Sequence, residues 1–137
     1  MMIEAITPVL VYADIAAAHD FLVRAFGFEA GGVDRDATGR PVHAEVRAGA
    51  QAVWLHRATD EHYMASAANA PSSNGLAVFV DDVDAHYRRA REHGAAVDSE
   101  PRDMPYGQRE YGARDPEGHR WWFATRLPAA VSAGDAG

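Results

Sequence analysis

The sequence predicts an α+β fold made of two β-α-β-β-β modules, residues 1–58 and 75–127. The same order of predicted elements occurs in both segments, which indicates an internal repeat. Matched residues also recur at a nearly constant spacing. Four residues recur 67 positions later: Asp14, Ala18, His19 and Gly27 match Asp81, Ala85, His86 and Gly94. Two more recur 68 positions later: Gly39 and Trp54 match Gly107 and Trp122.

The first module begins with a predicted strand in the apolar, β-branched stretch Met1–Tyr12. Asp14 is placed to cap a helix whose apolar residues recur at helical spacing up to Gly27. A turn is predicted at residues 36–39. Three further strands follow from runs of apolar and β-branched residues: Phe28–Asp34, Val42–Ala48 and Gln51–Arg57.

The second module repeats this pattern after a small, polar linker at residues 59–74. Asp82 is placed to cap a second helix that ends at Gly94. Strands are predicted at Leu76–Val80 and His119–Thr125; between them, Ala95–Asp98 starts one predicted strand and Tyr111–Arg114 ends another. The tail at residues 128–137 has few large apolar side chains, and we expect it to be disordered.

The final hairpin turns at Asp115-Pro-Glu-Gly118, where Pro presets φ and Gly relaxes the backbone. Side chains alternate along a strand, so Trp121 and Phe123 share one face and Trp122 lies on the other. We expect the first face to pack on a helix. Core positions are also predicted for Phe21, Phe26, Phe79 and Tyr87, and His19 and His86 are predicted to be hydrogen-bonded core histidines.

The composition limits the function classes. The formal net charge of −7, without a basic cluster, argues against a nucleic-acid partner. No apolar run has the length of a membrane helix, and no signal peptide is visible, so we expect a cytoplasmic protein with no membrane partner. The chain has no Cys, which excludes disulfides and thiol catalysis.

Three segments resemble the vicinal oxygen chelate superfamily, which includes glyoxalase I, bleomycin-resistance proteins and extradiol dioxygenases. They are PVLVYADIAAAHDFLVRAFGF at 8–28, GLAVFVDDVDAHYRRAREHGA at 75–95 and YGARDPEGHRWWFAT at 111–125. The last segment is most similar to the glyoxalase/bleomycin-resistance branch. The resemblance implies that the sheets curve into a cup with helices outside, that a small molecule binds within the cup, and that the protein is a homodimer.

The resemblance also locates the positions where enzymes of this superfamily hold a metal ion. In this chain they fall on Thr7, Gly75, Trp54 and Trp122. Metal binding needs convergent O, N or S donors, and an indole N–H only donates. We therefore expect no metal, no cofactor and no catalytic residue, as in bleomycin-resistance proteins that bind their drug without reaction.

The predicted ligand-binding residues centre on the two indoles, which offer rigid faces for planar or cationic ligands. His43 and Glu45 share a strand face, and His56 shares a face with Trp54. Tyr63 lies in the linker, and three more residues of the final hairpin are predicted to border the cup. The full predicted set is Trp54, Trp122, His56, His43, Glu45, Tyr63, Tyr106, Arg109 and Arg114.

Three functions remain open from the sequence. The first is a metal-independent binding protein that sequesters a planar or cationic natural product, as in antibiotic resistance. The second is a divergent metal-dependent lyase, isomerase or dioxygenase that uses His43 and Glu45. The third is an accessory protein without a ligand, whose indoles only fill the cup or an interface. The sequence also leaves open whether the cup forms within one chain or between two.

Overall fold

A computed structural model describes residues 1–58 and 74–129. Nearly all of the predicted linker, including Tyr63, and most of the predicted tail lie outside these residues. Both helices have ten residues, and no helix within the described ranges is long and apolar enough to cross a membrane.

The first module forms a four-stranded sheet in the order β1-β4-β3-β2, with one helix. β1 runs parallel to β4, and the other neighbours are antiparallel. The elements are β1 Val9–Val11, α1 Ile15–Arg24, β2 Glu29–Arg35, β3 Pro41–Ala48 and β4 Gln51–His56.

The second module forms a five-stranded sheet with the path β5-β9-β8-β6, and β7 also pairs with β8. β5 runs parallel to β9, as β1 does to β4. The elements are β5 Gly75–Phe79, α2 Val83–Glu92, β6 Ala96–Val97, β7 Arg102–Met104, β8 Gln108–Arg114 and β9 Arg120–Arg126. The two mixed sheets and their order of elements confirm the predicted α+β fold.

The helix boundaries follow from local chemistry. The side chain of Asp14 accepts a hydrogen bond from the backbone N–H of Ala17, and Asp82 does the same for Ala85. Past the helix ends, Gly27 and Gly94 have φ values of +79° and +82°, which glycine adopts without steric cost. Both predicted caps and both predicted stops are confirmed.

The structure corrects one predicted strand and adds one strand that was not predicted. The strand predicted within Met1–Tyr12 is limited to Val9–Val11, and residues 1–8 are not in a strand. Proline has no N–H for a ladder, although the Pro8 carbonyl accepts a hydrogen bond from Trp54 N. β7 was not predicted, because Arg102–Met104 is short and polar and shows no apolar alternation.

One hydrophobic core joins the two modules. Trp121 and Phe123 are fully buried, as their predicted face requires. The ring of Phe26, just after α1, lies 5.6 Å from the Trp121 ring and 4.7 Å from the Phe123 ring. Burying an aromatic or large aliphatic side chain stabilises a fold by about 1.5–3 kcal/mol. The modules therefore stabilise one another through these aromatic contacts.

The two predicted core histidines are half-buried and hydrogen-bonded. His19 Nε2 lies 3.2 Å from the Gly31 carbonyl oxygen and 3.1 Å from that of Glu45. His86 bridges the modules: its Nε2 lies 2.8 Å from the Phe26 carbonyl oxygen and its Nδ1 lies 2.6 Å from the Tyr111 hydroxyl. Both histidines are thus structural, and both lie on the helix side of the sheets.

Candidate ligand-binding site

Each sheet has a helix face and, opposite it, an open face. On β4, Val53 and Leu55 are buried under α1, whereas Trp54 is 42% exposed on the open face. On β9, Trp121 and Phe123 are buried, whereas Trp122 is half-buried on the open face. The period-two alternation of strands thus places the two indoles on the open faces of the two sheets.

The indole of Trp54 is held by an acid on the neighbouring strand. Its Nε1–H donates to Glu45 Oε1 at 3.2 Å, and Arg47 donates to Glu45 Oε2 at 3.1 Å. The hydrogen bonds from Arg47 and Trp54 hold the pKa of the Glu45 carboxyl below its usual range. Glu45 therefore stays ionised at neutral pH and places a negative charge beside the indole.

Two histidines lie beside Trp54 on the same face. The His43 ring is 5.7 Å from the Trp54 ring and 5.2 Å from the His56 ring, both edge-to-face. His43 Nδ1 lies 3.3 Å from Asp34 Oδ2 on β2. The structure thus brings together four of the predicted site residues: Trp54, Glu45, His43 and His56.

The indole of Trp122 has different surroundings. A Cβ atom on Gly75 would overlap the benzo ring of Trp122, so the absence of a side chain there makes room for the indole. Ala77 lies directly opposite Trp122 on β5. The Arg120 guanidinium lies 5.1 Å from the centre of the indole ring, within the range of a cation–π interaction, and forms an ion pair with Asp98.

The remaining predicted residues fall in several places. Tyr106 is 61% exposed and donates a hydrogen bond to Glu110 on the open face of β8. Arg114 is exposed and lies opposite Arg120 in the β8–β9 register. Tyr63 is outside the described residues. Tyr106 and Arg114 thus border the open face of the second sheet.

Arg109 does not lie on the open face of the second sheet, where the sequence predicted it to border the cup. It shares the helix face of β8 with Tyr111, and its guanidinium donates to Asp84 of α2 at 3.1 Å and to Asp103 at 3.1 Å. The predicted alternative, pairing with Glu110, does not occur because neighbouring residues of a strand point to opposite faces. We therefore leave Arg109 out of the proposed site.

A cleft of about 650 Å³ lies between the edge of the first sheet and β5. Phe79 at this cleft was predicted to be core, but it is 43% exposed, which corrects that prediction. Its ring is covered by Arg126, whose guanidinium carbon lies 3.8 Å from the ring centre. Alternation along β9 places Arg120 on the face of Trp122 and could also have indicated Arg126. The contacts of these arginines with Asp98 and Phe79 could not be predicted from alternation.

The sequence matches the family described as "Glyoxalase/Bleomycin resistance protein/Dioxygenase superfamily" over residues 5–123. This chain belongs to that superfamily. The resemblance drawn from the three sequence segments is therefore confirmed at the level of the superfamily.

Several members of the superfamily, or structures similar to this one, cover nearly the whole chain. TioX from Micromonospora sp. ML1 is 36% identical, with a TM-score of 0.74 over 90% of this chain and 99% of TioX. TnmS3, an antibiotic binding protein from Streptomyces sp. CB03234, is 27% identical, with a TM-score of 0.71 over 92% of this chain and 98% of TnmS3. An uncharacterized protein of Mycobacterium bovis (strain ATCC BAA-935 / AF2122/97) is 33% identical over 85% of this chain and 80% of its own length.

The metal ion that some superfamily members use does not fit the residues present here. The four corresponding positions offer the hydroxyl of Thr7, no side chain at Gly75 and the two indoles. Within the two described ranges, no group of three or more His, Cys, Asp or Glu is arranged to hold an ion. Glu45, which lies opposite Trp54 on β3, already accepts hydrogen bonds from Arg47 and Trp54. We derive no chemical step through a metal.

Proposed function

We propose that the protein binds a planar or cationic natural product, independently of metal, and sequesters it in the cytoplasm without changing it. The observation that carries this proposal is the pair of indoles, Trp54 and Trp122, at matching points of the two open faces. The similarity of this chain to TnmS3, an antibiotic binding protein, supports a role of the antibiotic-resistance type.

Physical chemistry supports such a ligand. An indole provides a broad, rigid face that stacks on planar molecules at little cost in conformational entropy. Trp54 has ordered polar neighbours, because its N–H is held by Glu45 and its ring edge contacts His43. The Glu45 carboxylate next to an exposed indole favours a ligand with a cationic group at this point.

We also propose that the protein acts as a homodimer. Large apolar residues are exposed along the N-terminal segment and near the open faces, including Ile3, Ile6, Val9 and Phe79. Ile6 and Phe79 line the same cleft, so these two residues form part of one surface that a second copy would cover. Sedimentation at micromolar concentration should give twice the mass of 14.8 kDa. A monomer under these conditions would contradict the dimer but not ligand binding.

The binding proposal is tested with a panel of planar antibiotics, screened by thermal shift and confirmed by calorimetry. A ligand that binds the folded state raises the melting temperature. Replacing Trp54 and Trp122 together by Ala should abolish binding, whereas replacing both by Phe should retain much of it, because Phe keeps an aromatic face. Mass spectrometry should recover the ligand unchanged. Undiminished binding by the double Ala variant would contradict the site, and a modified ligand would contradict sequestration.

A second candidate function is favoured by the grouping of His43, His56 and Glu45 around Trp54. These side chains would serve a lyase, isomerase or dioxygenase in which His43 and Glu45 act as base and orienting group, or in which they bind a metal ion together with a donor that the described residues do not provide. Elemental analysis of the purified protein separates the two functions. A stoichiometric divalent ion that is lost in His43→Ala would support the enzyme and overturn metal-independent binding.

A further inference from the structure

We propose that the Asp98–Arg120 ion pair makes the open face of the second module selective for planar ligands that carry an acidic or oxygen-acceptor group beside the ring. The inference rests on the proposed binding function, and it assigns the opposite charge preference to the two indoles. Trp54 would then receive the cationic part of a ligand and Trp122 its anionic or oxygen-rich part.

The first support is the position of Arg120. Its guanidinium lies over the Trp122 ring, 5.1 Å from the ring centre. The side chains of Arg120 and Asp98 are only 25% and 37% exposed, so this pair is better ordered than a fully solvated surface ion pair. Any ring that stacks near Trp122 on this side must contact the guanidinium.

The second support is that the backbone is shaped around the ion pair. A Cβ atom on Gly112 would lie 2.5 Å from Asp98 Oδ2 and 3.0 Å from an Arg120 terminal nitrogen, so a larger residue would displace the pair. The backbone N–H of Asp98 donates to the Gly112 carbonyl at 2.9 Å, which fixes the acid at this point. Glycine at Gly112 therefore creates the space in which Asp98 holds Arg120 against the indole.

The third support is the charged group that lies next to each indole. A guanidinium has more N–H donors than one carboxylate can engage, so Arg120 keeps donors for a ligand oxygen. Arg126 lies on the same face of β9, stacked on Phe79, and the ion pairs found among the described residues do not include it. A ligand at Trp122 therefore meets the Arg120 guanidinium, whereas a ligand at Trp54 meets the Glu45 carboxylate, which accepts the indole N–H and is paired with Arg47.

Calorimetry with two fused-ring probes of similar size and opposite charge tests the proposal: naphthalene-2-sulfonate and N-methylquinolinium. Arg120→Met keeps much of the side-chain length but removes the charge and the donors. We expect it to weaken sulfonate binding about tenfold, the usual size of a charged hydrogen bond, without weakening quinolinium binding. Arg120→Lys should restore part of the sulfonate affinity, because it restores the charge but not the planar fork.

The matched control is Arg24→Met, which removes the same charge from an exposed pair with Asp20 on α1 and should leave both affinities unchanged. Glu45→Gln should do the reverse of Arg120→Met and weaken only the quinolinium. Melting temperatures of all variants establish that they are folded.

The outcomes separate the inference from the proposed function. If Arg120→Met weakens both probes equally, or if Arg24→Met has the same effect, the charge preference is wrong even though ligands bind. If Arg120→Met does not fold, Arg120→Gln, which keeps a polar side chain but removes the charge, must lower the sulfonate-to-quinolinium affinity ratio, and an unchanged ratio overturns the inference. If neither probe binds the unaltered protein, both the inference and the indole site are overturned.

Discussion

The two modules place an indole at matching points of their last strands, and each indole lies beside an ion pair, but a different member of that pair contacts it. Trp54 donates its N–H to the carboxylate of Glu45, whereas Trp122 lies against Gly75 and under the guanidinium of Arg120. The repeat has thus kept the position and the aromatic surface while the neighbouring strands changed. The comparison teaches that a repeated position in the fold does not imply repeated surroundings.

The two Asp-x-x-Gly turns also resemble each other in sequence but differ in what their aspartates contact. Asp36 and Asp115 both start a turn that ends in a glycine of positive φ, +84° at Gly39 and +90° at Gly118. Asp36 is solvent-exposed; its side chain accepts hydrogen bonds from Thr38 and from the backbone N–H of Arg40, and it lies 3.9 Å from Arg57 of the same module. Asp115 is 4% exposed and also accepts from Tyr12, which lies in the other module. The contacts of Asp36 therefore stay within the first module, whereas those of Asp115 join the two modules.

The largest expected effect is the loss of the Asp115 carboxylate. It accepts hydrogen bonds from the Tyr12 hydroxyl at 2.5 Å, Trp121 Nε1 at 3.2 Å and the backbone N–H of His119 at 3.0 Å. Asp115→Ala leaves these buried donors unpaired, so it should lower the free energy of unfolding by about 3–5 kcal/mol. Urea denaturation measures this.

The matched control is Asp36→Ala, whose donors can turn to water and which should cost only about 1 kcal/mol. Equal losses of unfolding free energy in Asp115→Ala and Asp36→Ala would contradict the conclusion that only the turn at Asp115 joins the modules.

The next effect concerns the space beneath Trp122. A methyl group at Gly75 would overlap the indole, whereas one at Gly32 on β2 meets nothing within 4 Å. Gly75→Ala should therefore destabilise the protein by about 1–3 kcal/mol through overpacking and should alter the near-ultraviolet circular dichroism of the displaced indole. Gly32→Ala should change neither quantity. If both variants match the unaltered protein, Trp122 is not held against Gly75.

A smaller effect should follow from His86, which links the modules. Burial lowers the pKa of His86 from its ordinary 6.5, so the unfolded chain binds this proton more readily than the folded one. Stability is therefore present above pH 6.5 and should fall as the pH drops toward the lowered pKa, by about 1 kcal/mol per pH unit. Urea denaturation between pH 7.5 and 5.5 measures the slope.

His86→Gln should reduce that slope, and the exposed His93→Gln should leave it unchanged. An unaltered slope in His86→Gln would show that another group causes the acid loss.

The smallest effect should distinguish the two indoles by their response to acid. Because the pKa of Glu45 is lowered from 4.5 by its bonds to Arg47 and Trp54, the Trp54 fluorescence should change with a midpoint below pH 4.5 as the carboxyl protonates. The midpoint is measured in Trp122→Phe after subtraction of the signal of a variant in which Trp54 and Trp122 are both replaced by Phe, so that only the buried Trp121 emits. Glu45→Gln in that background should remove the transition; its persistence would mean that Glu45 does not hold Trp54.

Much of the fold could be predicted because its signals are local. The caps at Asp14 and Asp82 and the buried Trp121 all follow from backbone geometry within a few residues. Phe79 was placed wrongly because an apolar residue on an edge strand looks like a core residue until its neighbours are known. Arg109 was placed at the cup because only the end of its strand, Tyr111–Arg114, was assigned from the sequence, and its side chain was not assigned to a face.

The sequence by itself determined the two modules, the alternation that turns Trp54 and Trp122 away from the helices, and the absence of metal ligands at the four expected positions. These features depend on residue identity and on a strand period of two. Only the tertiary structure decided what surrounds each indole: Glu45 beside Trp54, and Gly75, Arg120 and Asp98 around Trp122. Those contacts depend on strand register and on packing between distant segments, where a shift of one residue would exchange every neighbour.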